Sequence, residues 1–174
     1  LRDELGNLNL QLLQLETSTA RDDAATEAAE TQLRALQVLA GTVPVVGPGV
    51  TVTIEDPEDS VGYDTLIDIV QELRDAGAEA IGVNGRRVGV ASAFAAREGV
   101  LTLDGAALRP PYRVVAIGQA ATLEGGLKIP GGAVDTLESL RDVSVTVQRA
   151  AALELPALTQ APSFRVARPV TSSE

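Results

Sequence analysis

Residues 76–91 run Ala76-Gly77-Ala78-Glu79-Ala80-Ile81-Gly82-Val83-Asn84-Gly85-Arg86-Arg87-Val88-Gly89-Val90-Ala91, a helix stop, a strand and a hairpin turn in immediate succession. Gly77 supplies the left-handed residue that ends a helix. Glu79 to Val83 follows as a short strand. Asn84-Gly85 is the strongest short hairpin signal, because both central residues of a type I′ turn need positive φ. Pairing Val83 with Arg86 sets Ile81 opposite Val88, so Ile81, Val83, Val88 and Val90 share an apolar face. The other face carries Ala80, Gly82, Arg87, Gly89 and Ala91, small enough for a helix, another backbone or a ligand to approach closely.

Upstream of the hairpin, Asp64 is placed to cap a helix whose positions Leu66, Ile67, Val70 and Leu73 form one apolar side. Before it, Val50 to Ile54 alternates as a half-buried strand and runs into the acidic loop Glu55 to Asp59. That loop lacks the glycine and terminal Glu spacing of a calcium loop, so it is read as solvated and not as a metal site. Downstream, strands are expected over 90–94, over 100–103 with a turn at Asp104-Gly105, and over 112–117. A helical stretch over 120–127 is interrupted by Lys128-Ile129-Pro130-Gly131-Gly132. A second short helix over 134–141 and a strand over 143–148 complete the order. Strand, helix, strand, hairpin, strand, helices, strand predicts an α+β fold, an α/β sandwich of the ferredoxin-like split βαβ kind with an inserted hairpin.

The first forty residues have a different period. Leu1, Leu5, Leu8, Leu12 and Leu15 recur at steps of four and three, a heptad seam. The frame continues through Thr19, Asp22, Thr26, Ala29, Leu33, Leu36 and Ala40, with polar knobs in the middle. A helix from Leu1 to Ala40 would be about 60 Å long. The expected organisation is a coiled-coil stalk over 1–40, a globular domain over 41–150, and an extended tail over 151–174 marked by Pro156, Pro162 and Pro169. Leu1, Leu5, Leu8, Leu12, Leu15, Leu33 and Leu36 would pair two copies as a homodimer.

Composition excludes several functions. The chain has 174 residues, a formal charge of −10 and only four aromatic residues, Tyr63, Phe94, Tyr112 and Phe164. A nucleic-acid backbone or anionic membrane face would be repelled, and there is no platform for stacking bases. Cysteine and histidine are absent, which removes thiolate and imidazole chemistry and the zinc sites built on them. No cofactor and no catalytic residue is assigned, and the chain is expected not to be an enzyme. The candidate contact residues are Asn84, Gly85, Arg86 and Arg87, the arginine pair being suited to an anion or a partner carboxylate. Gly131-Gly132 could cradle an anion through backbone N–H groups, but a loop between helices needs such glycines anyway.

Gly47-Pro48-Gly49-Val50, the run Ala76 to Ile81 through Asn84-Gly85-Arg86-Arg87, and Pro111-Tyr112-Arg113-Val114-Val115-Ala116-Ile117-Gly118 together resemble the YlxW/YlxX-like bacterial family, whose domain is one of unknown function. The resemblance covers Leu1 to about Pro156. Many arginines against the single Lys128 suit an actinobacterial member. Members typically carry a transmembrane segment, a coiled coil and this domain, and their genes often lie near cell-division or envelope genes. By resemblance, the chain is expected to be the extracytoplasmic part of a single-pass membrane protein whose N-terminal anchor lies upstream of Leu1. The run over 43–50 is itself too short and broken to span a bilayer. The expected function is a non-enzymatic, membrane-tethered interaction or scaffolding domain of the cell envelope, linked to cell division and binding protein partners. The alternative is a small-molecule or anion-sensing regulatory domain, since ferredoxin-like domains often bind ligands between subunits.

Overall fold

The computed structural model describes residues 23–160 and Val166. Contacts divide the chain into two compact units, Leu1–Gln37 and Val38–Glu174. In the first, the described residues are helical, and helix α1 is described over 23–40, its last turn belonging to the second unit. Every described side chain from 23 to 36 is exposed, Leu33 and Leu36 among them. Gly41 ends the helix at φ +69, its N–H bonded to the Val38 carbonyl at 3.1 Å.

The second unit is mostly β. Strands β1 (Val45–Glu55), β2 (Ala80–Val83), β3 (Arg86–Val88), β7 (Tyr112–Ile117) and β8 (Ser144–Leu155) form one antiparallel sheet in the order β3-β2-β7-β1-β8. A second antiparallel sheet holds β4 (Phe94–Arg97), β5 (Val100–Leu103) and β6 (Ala106–Ala107). Three short helices, α2 (Tyr63–Asp75), α3 (Ala120–Leu127) and α4 (Ala133–Glu138), cover one face of the larger sheet. Val50, Val52, Ile54, Ile81, Val83, Val114 and Ala116 meet Leu66, Ile69, Leu73, Leu123, Leu127 and Leu137 there, all buried. Each large aliphatic side chain so buried contributes about 1.5–3 kcal/mol.

Helix α2 ends as its sequence predicts. Gly77 stands at φ +86, its N–H bonds the Arg74 carbonyl, and the Ala78 N–H bonds the Leu73 carbonyl, the paired bonds of a Schellman motif. Its start differs. Gly62 occupies the N-cap with no side-chain bond, and Asp64 lies in the first turn. The buried side is Leu66, Ile69, Val70 and Leu73, with Ile69 in the place expected for Ile67.

The expected fold class is overturned. An α/β sandwich led by a coiled-coil helix over 1–40 gives way to a predominantly β unit of two antiparallel sheets with short helices. No long N-terminal coiled-coil helix is present among the described residues, and Leu1, Leu5, Leu8, Leu12 and Leu15 lie outside them. The strands expected over 90–94 and 100–103 appear as β4 and β5 of a separate three-stranded sheet, and residues 90–93 precede its first strand.

The main reason for the larger β content is mutual pairing of two segments that look irregular in isolation. Val45 to Gly47 pairs with Leu155 to Leu153, so the linker before Val50 and the start of the tail after Ala150 are both strand. A bulge falls between Gly47 and Gly49, where β8 spends one residue more than β1. Such a bulge bends the ribbon. Beyond it, Val45, Leu153 and Leu155 close over Ala80, Val115 and Ile117 on the face opposite the helices, a second small core. Gly49 is obligatory at that bend, since a Cβ there would stand 1.9 Å from the Ala116 carbonyl oxygen.

Candidate functional site

The hairpin that carries the four candidate residues forms in the expected register, Val83 with Arg86 and Ile81 with Val88. Asn84 and Gly85 take positive φ, 47° and 78°. The Asn84 side chain is occupied: its Nδ2 donates to the Arg109 carbonyl at 2.8 Å, and its Oδ1 accepts from the Arg113 N–H at 2.7 Å. It pins the turn to the segment entering β7.

The two arginines part company. Arg86 is exposed and lines a cleft of about 520 Å³ with Gly89, Val90, Ser92, Asp104 and Gln160. Arg87 is buried, so the two arginines do not present the paired charge expected for an anion or a partner carboxylate. Its Nη2 donates to the Val38 carbonyl at 3.2 Å, while its Nη1 has no hydrogen-bond partner among the described residues. Burial lowers the Arg87 pKa by disfavouring the charged form. Val90, expected on the apolar face of the hairpin, is 85% exposed because the strand has ended at Val88.

Carboxylates that could suggest chemistry are tied to structural tasks. Asp56 is buried and accepts from the Ser60 N–H at 2.8 Å and the Val61 N–H at 3.0 Å, closing the acidic loop ahead of α2. Asp104 accepts from the Ser92 hydroxyl and the Ala93 N–H, both at 2.8 Å. The glycine pair at 131–132 is likewise internally committed. Asp135 accepts from the Gly131 N–H at 2.8 Å, and Glu72 Oε1 accepts from the Ala133 N–H at 2.7 Å. Glu124 bonds both Lys128, at 2.5 Å, and Arg149. Those two hydrogen bonds hold its carboxyl below the usual carboxylate range.

A cleft of about 310 Å³ lies between Asp56, Asp59, Val100, Arg109 and Tyr112. Burial, then the charges of Asp56 and Asp59, push the Tyr112 phenol up. Among the described residues no group of three or more metal-ligating side chains comes together.

One surface was not singled out in the sequence. Strand β8 is the edge of the larger sheet, and a cleft of about 430 Å³ beside it is lined by Lys128, Val134, Asp135, Glu138, Val145, Thr146 and Val147. The alternation of Val143, Val145 and Val147 was visible, but edge position is a property of sheet order.

A family model described as "Bacterial protein of unknown function (DUF881)" matches residues 32–168. The chain belongs to this family. UPF0749 protein Rv1825 of Mycobacterium tuberculosis is 41% identical over 174 residues, which cover 98% of this chain and 59% of that protein. UPF0749 protein YlxW of Bacillus subtilis is 36% identical over 119 residues, 63% of this chain and 51% of that protein. A crystal structure of an uncharacterized conserved protein from Mycobacterium tuberculosis is similar, with a TM-score of 0.71 at 41% identity, covering 80% of this chain and 99% of that one. The chain thus spans 59% of the length of Rv1825.

Proposed function

We propose that this chain is a non-enzymatic interaction module that associates with itself through α1 and offers its folded unit to protein partners at the cell envelope. The supporting observation is the exposure of Leu33 at 55% and Leu36 at 54%, on a helix whose described side chains up to residue 36 are all exposed. Leucines left in water at helical spacing cost apolar hydration that a second helix removes. The clefts argue in the same direction, because Asp56, Asp104 and Asp135 at their walls accept backbone N–H bonds.

Envelope tethering by an upstream segment and a link to cell division draw their support from the family resemblance. Among the described residues no helix is long and apolar enough to cross a membrane. Sedimentation velocity over a dilution series tests self-association. A dimer dissociating on dilution is expected, and a monomer at every concentration would overturn it.

Anion sensing is the second reading, favoured by Arg86 at the mouth of its cleft. Arg87, being buried, does not add a second charge there. Inorganic phosphate and citrate should raise the melting temperature through Arg86 if this reading holds, and Arg86→Gln should erase the rise.

A further inference from the structure

Among the described residues, β8 pairs on one side only, with β1. From Ser144 to Ala150 that pairing is regular, and at the bulge between Ala150 and Leu153 it breaks. Bulges, prolines and lysines protect sheet edges from foreign strands. Here the bulge protects only the distal half. The stretch Ser144-Val145-Thr146-Val147-Gln148-Arg149-Ala150 contains neither proline nor lysine, so its outward N–H and C=O groups form an open template.

Side chains of that stretch divide by face. Val145, Val147 and Arg149 stand opposite Ile54, Val52 and Val50 of β1 and point to the helical side. Thr146 and Gln148 are exposed on the other side. On the helical side, the flanking cleft has an apolar floor of Val134, Val145 and Val147 and acidic walls at Asp135 and Glu138. Its one cation, Lys128, is engaged by Glu124.

We infer that a second copy of this chain adds its own β8 to this edge, antiparallel and about a two-fold axis at Val147, the midpoint of the regular stretch. Two-fold contacts use the same patch on both subunits, so residue i meets j and j meets i. Centred on Val147, the pairing sets Val147 against itself, Thr146 against Gln148 and Val145 against Arg149. Opposed residues share a face about 5 Å apart. Each Arg149, bonded through Nε to Glu124 of its own chain, therefore stands beside Val145 with its Nη groups next to the acidic wall of the other copy. That charge match selects a second copy over an unrelated strand. The contact is separate from the one proposed for α1.

The chain has no cysteine, so single thiols report the register directly. Cα atoms of an opposed antiparallel pair are about 4.5–5.5 Å apart, within disulfide reach. The full-length Val147→Cys variant should oxidise to a disulfide dimer. Ser144→Cys should not, because the two copies of residue 144 would lie about 20 Å apart. Equal cross-linking of both variants, or of neither, would overturn the pairing.

Charge variants at exposed positions give a readout that does not depend on a half-buried thiol. In a Leu33→Glu/Leu36→Glu background, Thr146→Lys/Gln148→Lys puts like charges opposite each other and should weaken dimerisation about tenfold relative to Thr146→Lys/Gln148→Glu. Equal dimerisation of the two would overturn the register, whatever α1 does.

Discussion

Leu155 lies across Gly82: a Cβ on that glycine would stand 2.5 Å from Leu155 Cδ2 and 2.9 Å from the Arg86 carbonyl oxygen. The small face of the β2–β3 hairpin is thus the seat of the ribbon formed by the ends of β1 and β8. Gly82→Ala should destabilise the unit by about 1–3 kcal/mol, the ordinary cost of overpacking. Urea denaturation reads it, and an unchanged midpoint would show that the ribbon yields without strain.

Arg87 is held by one hydrogen bond from Nη2 to the Val38 carbonyl, with Nη1 unpaired among the described residues. A buried charge so thinly compensated adds little net stability, and its methylene stem adds more. Arg87→Met should therefore change stability by less than about 1.5 kcal/mol. Arg87→Ala should cost about 2 kcal/mol or more through the void it leaves. Equal losses for Met and Ala, compared by chemical denaturation, would mean that the guanidinium bond dominates.

Asp56 satisfies two backbone donors with one buried carboxylate. Asp56→Ala strands them and should cost about 1–3 kcal/mol, whereas Asp56→Asn keeps one acceptor oxygen and should cost less. The Val61 amide should exchange faster with solvent in the alanine variant. An unchanged exchange rate would contradict the assigned bond.

Glu124 has its carboxyl pKa lowered by hydrogen bonds from Lys128 and then Arg149. A folded value below the unfolded one means that the carboxylate stabilises the fold above the unfolded value, and that this contribution disappears as pH falls through the folded one. Glu124→Gln should be less stable than the parent at neutral pH, and the two should converge in acid. Denaturation midpoints that differ by the same amount across that range would refute the link.

Local chemistry was legible in the sequence where one residue decides the backbone. Gly77 and Asn84-Gly85 announced the helix stop and the hairpin because positive φ is costly for most other residues. Tyr112 to Ile117 and Ala120 to Leu127 were bounded as β7 and α3 appear. Long-range pairing was not legible. Pro44, Gly47, Pro48 and Gly49 look like a linker, and residues 151–155 like a tail, until the two segments pair with each other. Tertiary context overrides propensity in such segments. Of the seam, Leu33 and Leu36 lie exposed on α1, while Leu1, Leu5, Leu8, Leu12 and Leu15 lie outside the described residues. Of the candidate site, Arg86 was placed on the surface as expected, and the burial of Arg87 depends on Val38 and on the chain around Gly41, which no local pattern reveals.

The central claim is association through the exposed leucines of α1, and light scattering after size exclusion on the full chain, beside its Leu33→Glu/Leu36→Glu variant, addresses it most directly. The account predicts that at tens of micromolar the parent assembles to a larger mass than the variant, whose remaining association runs through β8, with the same denaturation midpoint for the folded unit. Parent and variant with identical masses and identical dilution behaviour would contradict it.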